Sequence, residues 1–151
     1  YEVRSRYFKG CIPPKSVSLV KANDIPADEC LVFEGFMDFL SAVTLGVTGN
    51  ADCLVLNSVS NFSKALRPLG DYERIHCFLD NDRAGLEALR EIQREYGSRV
   101  RDASYVYSGY KDLNDYLNGK KLSQQANPVQ QTKQVQWVQQ PGKKKGKGIG
   151  M

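Results

Sequence analysis

Two aspartates two residues apart, Asp80 and Asp82, follow an apolar run over residues 75–79 and directly precede a helical pattern over residues 83–96. In an extended backbone, side chains at i and i+2 point the same way, so both carboxylates can reach one point. Carboxylates crowded together repel unless a cation neutralises them. Hard oxygen donors suit Mg²⁺ or Mn²⁺. A second acidic stretch, Glu34-Gly35-Phe36-Met37-Asp38, ends another apolar run, Cys30-Leu31-Val32-Phe33. Asp38 lies one helical turn past Glu34 and can point back to the same place. A third, Lys111-Asp112, follows a run over residues 103–107.

These acids need elements that bring them to one edge. Buried strands are expected at residues 30–33, 53–56, 74–79 and 103–107, each a short apolar run. Helices are expected after Glu34, with Phe36, Met37, Leu40, Val43 and Leu45 as the apolar face, and from Ser60 or Asn61 to about Leu66. Two more run from Arg83 to Tyr96 and over residues 111–117. Strand and helix alternate with short connections, which predicts an α/β fold: a mostly parallel four-stranded sheet flanked by helices. In such sheets the ligand crevice lies outside the carboxyl ends of the strands. If the first and third strands are neighbours, Glu34, Asp80 and Asp82 meet there. Asp82 alone would read as a helix cap; three acids on one edge need a counter-ion.

The flanks differ from this middle. Residues 1–22 hold two alternating stretches broken by Pro13-Pro14, a short β segment in which 16–20 can pair back as a second strand. From Lys120 glutamine is frequent, and the chain ends in Lys143-Lys144-Lys145-Gly146-Lys147, which predicts a flexible low-complexity tail. Residues 1–118 hold 14 Lys and Arg against all 17 Asp and Glu, a net of −3, while 119–151 hold 7 lysines and no acid. The overall +4 therefore belongs to the tail. Val135-Gln136-Trp137-Val138 is the one sticky piece of that tail. No apolar run is long enough to span a bilayer, and no signal peptide opens the chain. Four dispersed cysteines read as free thiols in a reducing, cytoplasmic setting rather than a disulfide frame or zinc site. A start at Tyr1 suggests a piece of something longer.

Three look-alikes fail. Asp80-x-Asp82-x-Ala84-Gly85 half matches a calcium-binding EF-hand loop, but Ala84 occupies a ligand position and a strand precedes where a helix is required. Haloacid-dehalogenase-type phosphatases usually carry Thr or Val where Ala84 stands. Phospho-receiver domains lay out their single acceptor Asp and partnering Lys differently.

With both acidic motifs in view, the sequence resembles TOPRIM domains over roughly residues 29–118. Val32-Phe33-Glu34-Gly35-Phe36-Met37-Asp38 is similar to their Glu-Gly-Tyr-Met-Asp motif. Phe78-Leu79-Asp80-Asn81-Asp82-Arg83-Ala84-Gly85 is similar to the Asp-x-Asp motif in the form seen in bacterial DnaG-type primases, with Asn81 replacing the usual Gly. Lys111-Asp112-Leu113-Asn114-Asp115 resembles the acidic segment that follows, with Asn114 where an acid is usual. The resemblance implies a division into 1–27, the remnant of a preceding primase-core subdomain, 28–118, the TOPRIM domain, and 119–151, the basic tail. It implies Glu34, Asp80 and Asp82 as catalytic residues and Glu34, Asp38, Asp80, Asp82 and Asp112 as ligands of Mg²⁺ or Mn²⁺. The implied reaction is nucleotidyl transfer for RNA primer synthesis, with single-stranded DNA and nucleoside triphosphates as partners, a replicative helicase reached through further domains, and no membrane. Arg83, Lys111, Lys143, Lys144 and Lys145 are candidates for phosphate contact, although Arg83 with Arg90 also reads as solvated helix surface. This stretch alone would not make primers. A TOPRIM nuclease and a non-catalytic binding module, as in recombination mediators, remain the alternatives.

Overall fold

The structure, a computed structural model, describes residues 2–7, 9–11, 16–58 and 61–122. Ser60, the 135–138 segment and Lys143, Lys144 and Lys145 lie outside the described residues.

A β1 (Glu2–Arg4) and β2 (Lys9–Cys11) ribbon precedes β3 (Ser18–Val20). Then come β4 (Glu29–Phe33), α1 (Phe36–Leu45), β5 (Asp52–Val55), α2 (Phe62–Leu69) and β6 (Arg74–Phe78). The series ends with α3 (Arg83–Tyr96), β7 (Val100–Asp102) and α4 (Leu113–Leu117). The main sheet has the order β3-β5-β4-β6-β7. β4 pairs parallel with β5 and β6, β6 pairs parallel with β7, and β3 joins antiparallel at the β5 edge.

The period of two along a strand divides the core into two layers. Cys30 and Val32 face one side, with Leu54, Ile75 and Cys77, where Ala65 and Leu69 of α2 and Ala88 and Ile92 of α3 cover them. Leu31 and Phe33 face the other, with Cys53 and Phe78, against Ala42 of α1 and Leu113 of α4. Burial on both faces explains why β4 and β5 read as unbroken apolar runs.

The α/β class and its four parallel strands are as the sequence predicts, with two differences of detail. The fourth strand is Val100–Asp102, and Ser104–Tyr107 is a 3₁₀ turn. The Asp102 side chain accepts from the Ser104 amide at 2.9 Å and so ends the strand. One turn then places Ala103 and Tyr107 in the same core layer, a spacing that mimics alternation. In addition, Ser18–Val20 does not fold back on the first segment; it makes the sheet five-stranded. Asn57 holds it there, donating to the Ser16 carbonyl at 2.8 Å and the Ser18 hydroxyl at 3.0 Å. The fully buried Asp52 carboxylate also ties this segment down, accepting from Lys21 Nζ at 2.8 Å, the Ala22 amide at 2.9 Å and the Tyr72 hydroxyl at 2.7 Å.

Candidate metal centre

β4 and β6 are neighbours in register, Phe33 beside Phe78. Glu34 and Asp80 therefore leave the sheet on the same edge, at the carboxyl ends of adjacent parallel strands. The rings of Phe33 and Phe78 stack beneath them at 5.3 Å, and Tyr107 stacks on Phe78 at 6.5 Å. Tyr107 also donates its hydroxyl to the Leu79 carbonyl at 2.7 Å, which fixes the chain just before Asp80.

Two glycines make the edge compact. A Cβ at Gly85 would lie 2.1 Å from the Asp80 carbonyl oxygen, so only glycine lets α3 start this close to the end of β6. A Cβ at Gly35 would stand 3.2 Å from Asp38 Oδ2, crowding that carboxylate.

The five predicted acids form one electrostatic group. Burial, then the charges of Asp80 and Asp82, push Glu34 up to about 7, against smaller pulls from the Asp80 backbone and Lys111. Burial pushes Asp38 up to about 6; a hydrogen bond from the Asn114 amide at 3.0 Å opposes this, and the charges of Asp112 and Asp80 add to it. Asp80 is raised by burial and by Asp112 and Asp82, with Lys111 working against both. Asp82 accepts from the Gly85 amide at 3.0 Å and caps α3; Asp112 accepts from the Asp115 amide at 2.7 Å and caps α4. Each cap uses one carboxylate oxygen, so the other remains a donor for a cation.

Oxygen donors of this kind fit a hard divalent ion. Glu34 Oε2 fits it too, being a buried acceptor with no hydrogen-bond partner. Yet among the described residues no group of three or more His, Cys, Asp or Glu side chains is arranged to hold a metal. A cation already stands at the centre: Lys111 Nζ is 3.1 Å from Asp80 Oδ2.

Sequence reading missed one residue that organises this edge. Asn81 stands where Gly is usual, and its backbone is not in the left-handed region that Gly or Asn can supply in a turn. Its side chain donates to the carbonyls of Tyr110, at 2.9 Å, and Tyr107, at 3.3 Å, while its amide donates to the Lys111 carbonyl at 2.7 Å. It thus pins the Asp80–Asp82 turn to the segment carrying Lys111 and Asp112. The signal was the amide itself, whose donors glycine lacks. Asn114, which stands where an acid is usual, lies in α4 and bridges to α1, its side-chain oxygen accepting from Ser41 at 3.4 Å. Arg83 is exposed and paired with Glu87 at 2.8 Å, away from the acids. His76 is half-buried within β6, 3.9 Å from Glu29.

A Toprim-like family model matches residues 31–117, a span containing both acidic motifs and the Lys111-Asp112 segment. The chain belongs to the Toprim-like family. Among curated proteins no sequence matches it significantly. Among solved structures, the primase fragment of the bacteriophage T7 primase-helicase is 26% identical, with a TM-score of 0.51 over 62% of this chain and 40% of that one. Primase domains in a complex with bacteriophage T7 lagging-strand DNA polymerase are 24% identical, with a TM-score of 0.49 over 61% of this chain and 48% of that one. This TOPRIM chain thus spans less than half the length of either.

Proposed function

We propose that the acidic edge binds Mg²⁺ or Mn²⁺ and serves nucleotidyl transfer, the making of RNA primers on single-stranded DNA. The observation that carries this is Glu34: a half-buried carboxylate whose second oxygen is itself buried and has no partner, at the end of the strand beside the one that presents Asp80 and Asp82. Glu34, Asp38, Asp80, Asp82 and Asp112 would hold the ion or ions, which when bound stabilise charge on phosphate oxygens and hold a nucleoside triphosphate. Burial and the neighbouring acids hold Glu34 at about 7, near neutral pH, which suits it to moving a proton at the reacting phosphate. The 26% identity to a primase fragment supports primer synthesis over other TOPRIM activities. An acidic edge needs cations to accept polyanions, and Lys111 supplies one from within. The template surface, the helicase partner and the cytoplasmic setting belong to the same proposal and to the longer protein; Lys143, Lys144 and Lys145 would add phosphate contacts.

A second reading has its own support. Lys111 sits on Asp80, and among the described residues no three acids are arranged around an ion, as suits a module that binds partners without catalysis. Calorimetric titration with Mn²⁺ separates the two. The catalytic reading expects binding by the wild type, and loss of at least tenfold in affinity in Asp80→Asn/Asp82→Asn. Equal binding by both, or none by either even with a nucleoside triphosphate present, puts the binding module first.

A further inference from the structure

Resting on the metal-site reading above, we propose that Lys111 is a built-in occupant of the metal position, which a divalent ion must displace from Asp80. Three observations converge on it. The ammonium lies 3.1 Å from Asp80 Oδ2, and the Asp80 side chain is only 12% exposed. The Lys111 backbone is fixed by Asn81, whose amide and side chain bond the carbonyls of Lys111 and Tyr110. Meanwhile the lysine side chain is half exposed, at 50%. The anchor is therefore rigid and the stem is free to swing. An ammonium is a compact point charge on four flexible carbons, without the planar fork that locks Arg onto a carboxylate. That is the chemistry of a cation that can leave.

The rest of the edge agrees. While Lys111 sits on Asp80, one unit of positive charge offsets a cluster of five acids, and the second oxygen of Glu34 is left without a partner. A divalent ion brings more charge and more coordination sites than an ammonium can offer. Once displaced, the ammonium stays beside the site because its backbone is pinned there, available to an anion that the ion recruits. The lysine thereby lets five carboxylates share an edge without metal and sets how much divalent ion is needed to load it.

The test is Mn²⁺ calorimetry on the full chain, on Lys111→Met, which keeps the stem and removes the charge, and on Lys111→Arg and Asp80→Asn. Lys111→Met is expected to bind Mn²⁺ roughly five- to tenfold more tightly than wild type. Lys111→Arg is expected to bind no more tightly than wild type, and the gain is expected to vanish in the Asp80→Asn background. Equal or weaker binding by Lys111→Met, beside a wild type that does bind, overturns the inference and leaves the metal site standing. Absence of binding in both, even with a nucleoside triphosphate present, overturns the metal site and the inference together. A second readout needs no variant at this lysine: the ¹⁵N resonance of the Lys111 ammonium should move toward that of a free lysine as Mg²⁺ is added. A resonance that stays fixed while Mg²⁺ binds also overturns it.

Discussion

Glu34 carries the pH dependence of the edge. Burial and the charges of Asp80 and Asp82 hold its carboxyl at about 7, above its ordinary 4.5. The folded chain thus keeps a proton that the unfolded chain has released. Without divalent ions, the stability from this group is complete below about pH 4.5 and is lost as pH rises through about 7. Glu34→Gln removes the charge and keeps the shape. In chelator at pH 8 the variant should exceed wild type by on the order of 1–2 kcal/mol in urea unfolding, a figure discounted for partial solvent access. At pH 4 the two should agree. A variant less stable than wild type at pH 8 would mean that the ionised Glu34 has a protein partner, and the case for a cation there would fall.

The acids are placed by elements, and α3 is the decisive one. Its first turn rests on the Asp80 carbonyl through Gly85, where an added Cβ would meet backbone at 2.1 Å. Gly85→Ala must therefore push α3 away from β6, and overpacking of this kind costs about 1–3 kcal/mol. A fall in thermal midpoint together with weaker Mn²⁺ binding is the expected outcome; an unchanged midpoint would show that α3 is not seated this way. Much of this was legible in the sequence. The apolar runs ending at Phe33 and Leu79 pointed to the two central strands, and parallel pairing brought Glu34 and Asp80 together as expected. The edges were harder to read. Residues 103–107 alternate like a strand, yet Ala103 and Tyr107 reach the core through one helical turn. Asn81 looked like a glycine substitute because sequence shows its place in a turn and not the carbonyls it meets. The Lys111–Asp80 pair joins residues about thirty positions apart, beyond any local pattern.

On the scale of the whole chain, charge is divided. The first 118 residues carry a net of −3, and the last 33 carry 7 lysines and no acid. An edge lined with carboxylates repels a nucleic acid, so phosphate binding in the absence of divalent ions must draw on lysines elsewhere. Lys143, Lys144 and Lys145 are the densest such group. Affinity for single strands falls with salt at a log–log slope of about −0.7 per neutralised phosphate. Lys143→Gln/Lys144→Gln/Lys145→Gln should therefore flatten that slope by about 2 if each lysine meets one phosphate. Fluorescence anisotropy with a labelled oligothymidylate in chelator, read across several salt concentrations, measures it directly. A slope unchanged by the triple substitution would remove these lysines from the nucleic-acid surface and shift the search to the arginines and lysines of the first 118 residues. Added Mg²⁺ then distinguishes the two ends of the molecule. It should weaken a purely electrostatic tail contact by screening, but strengthen any contact that runs through an ion on the Asp80 edge.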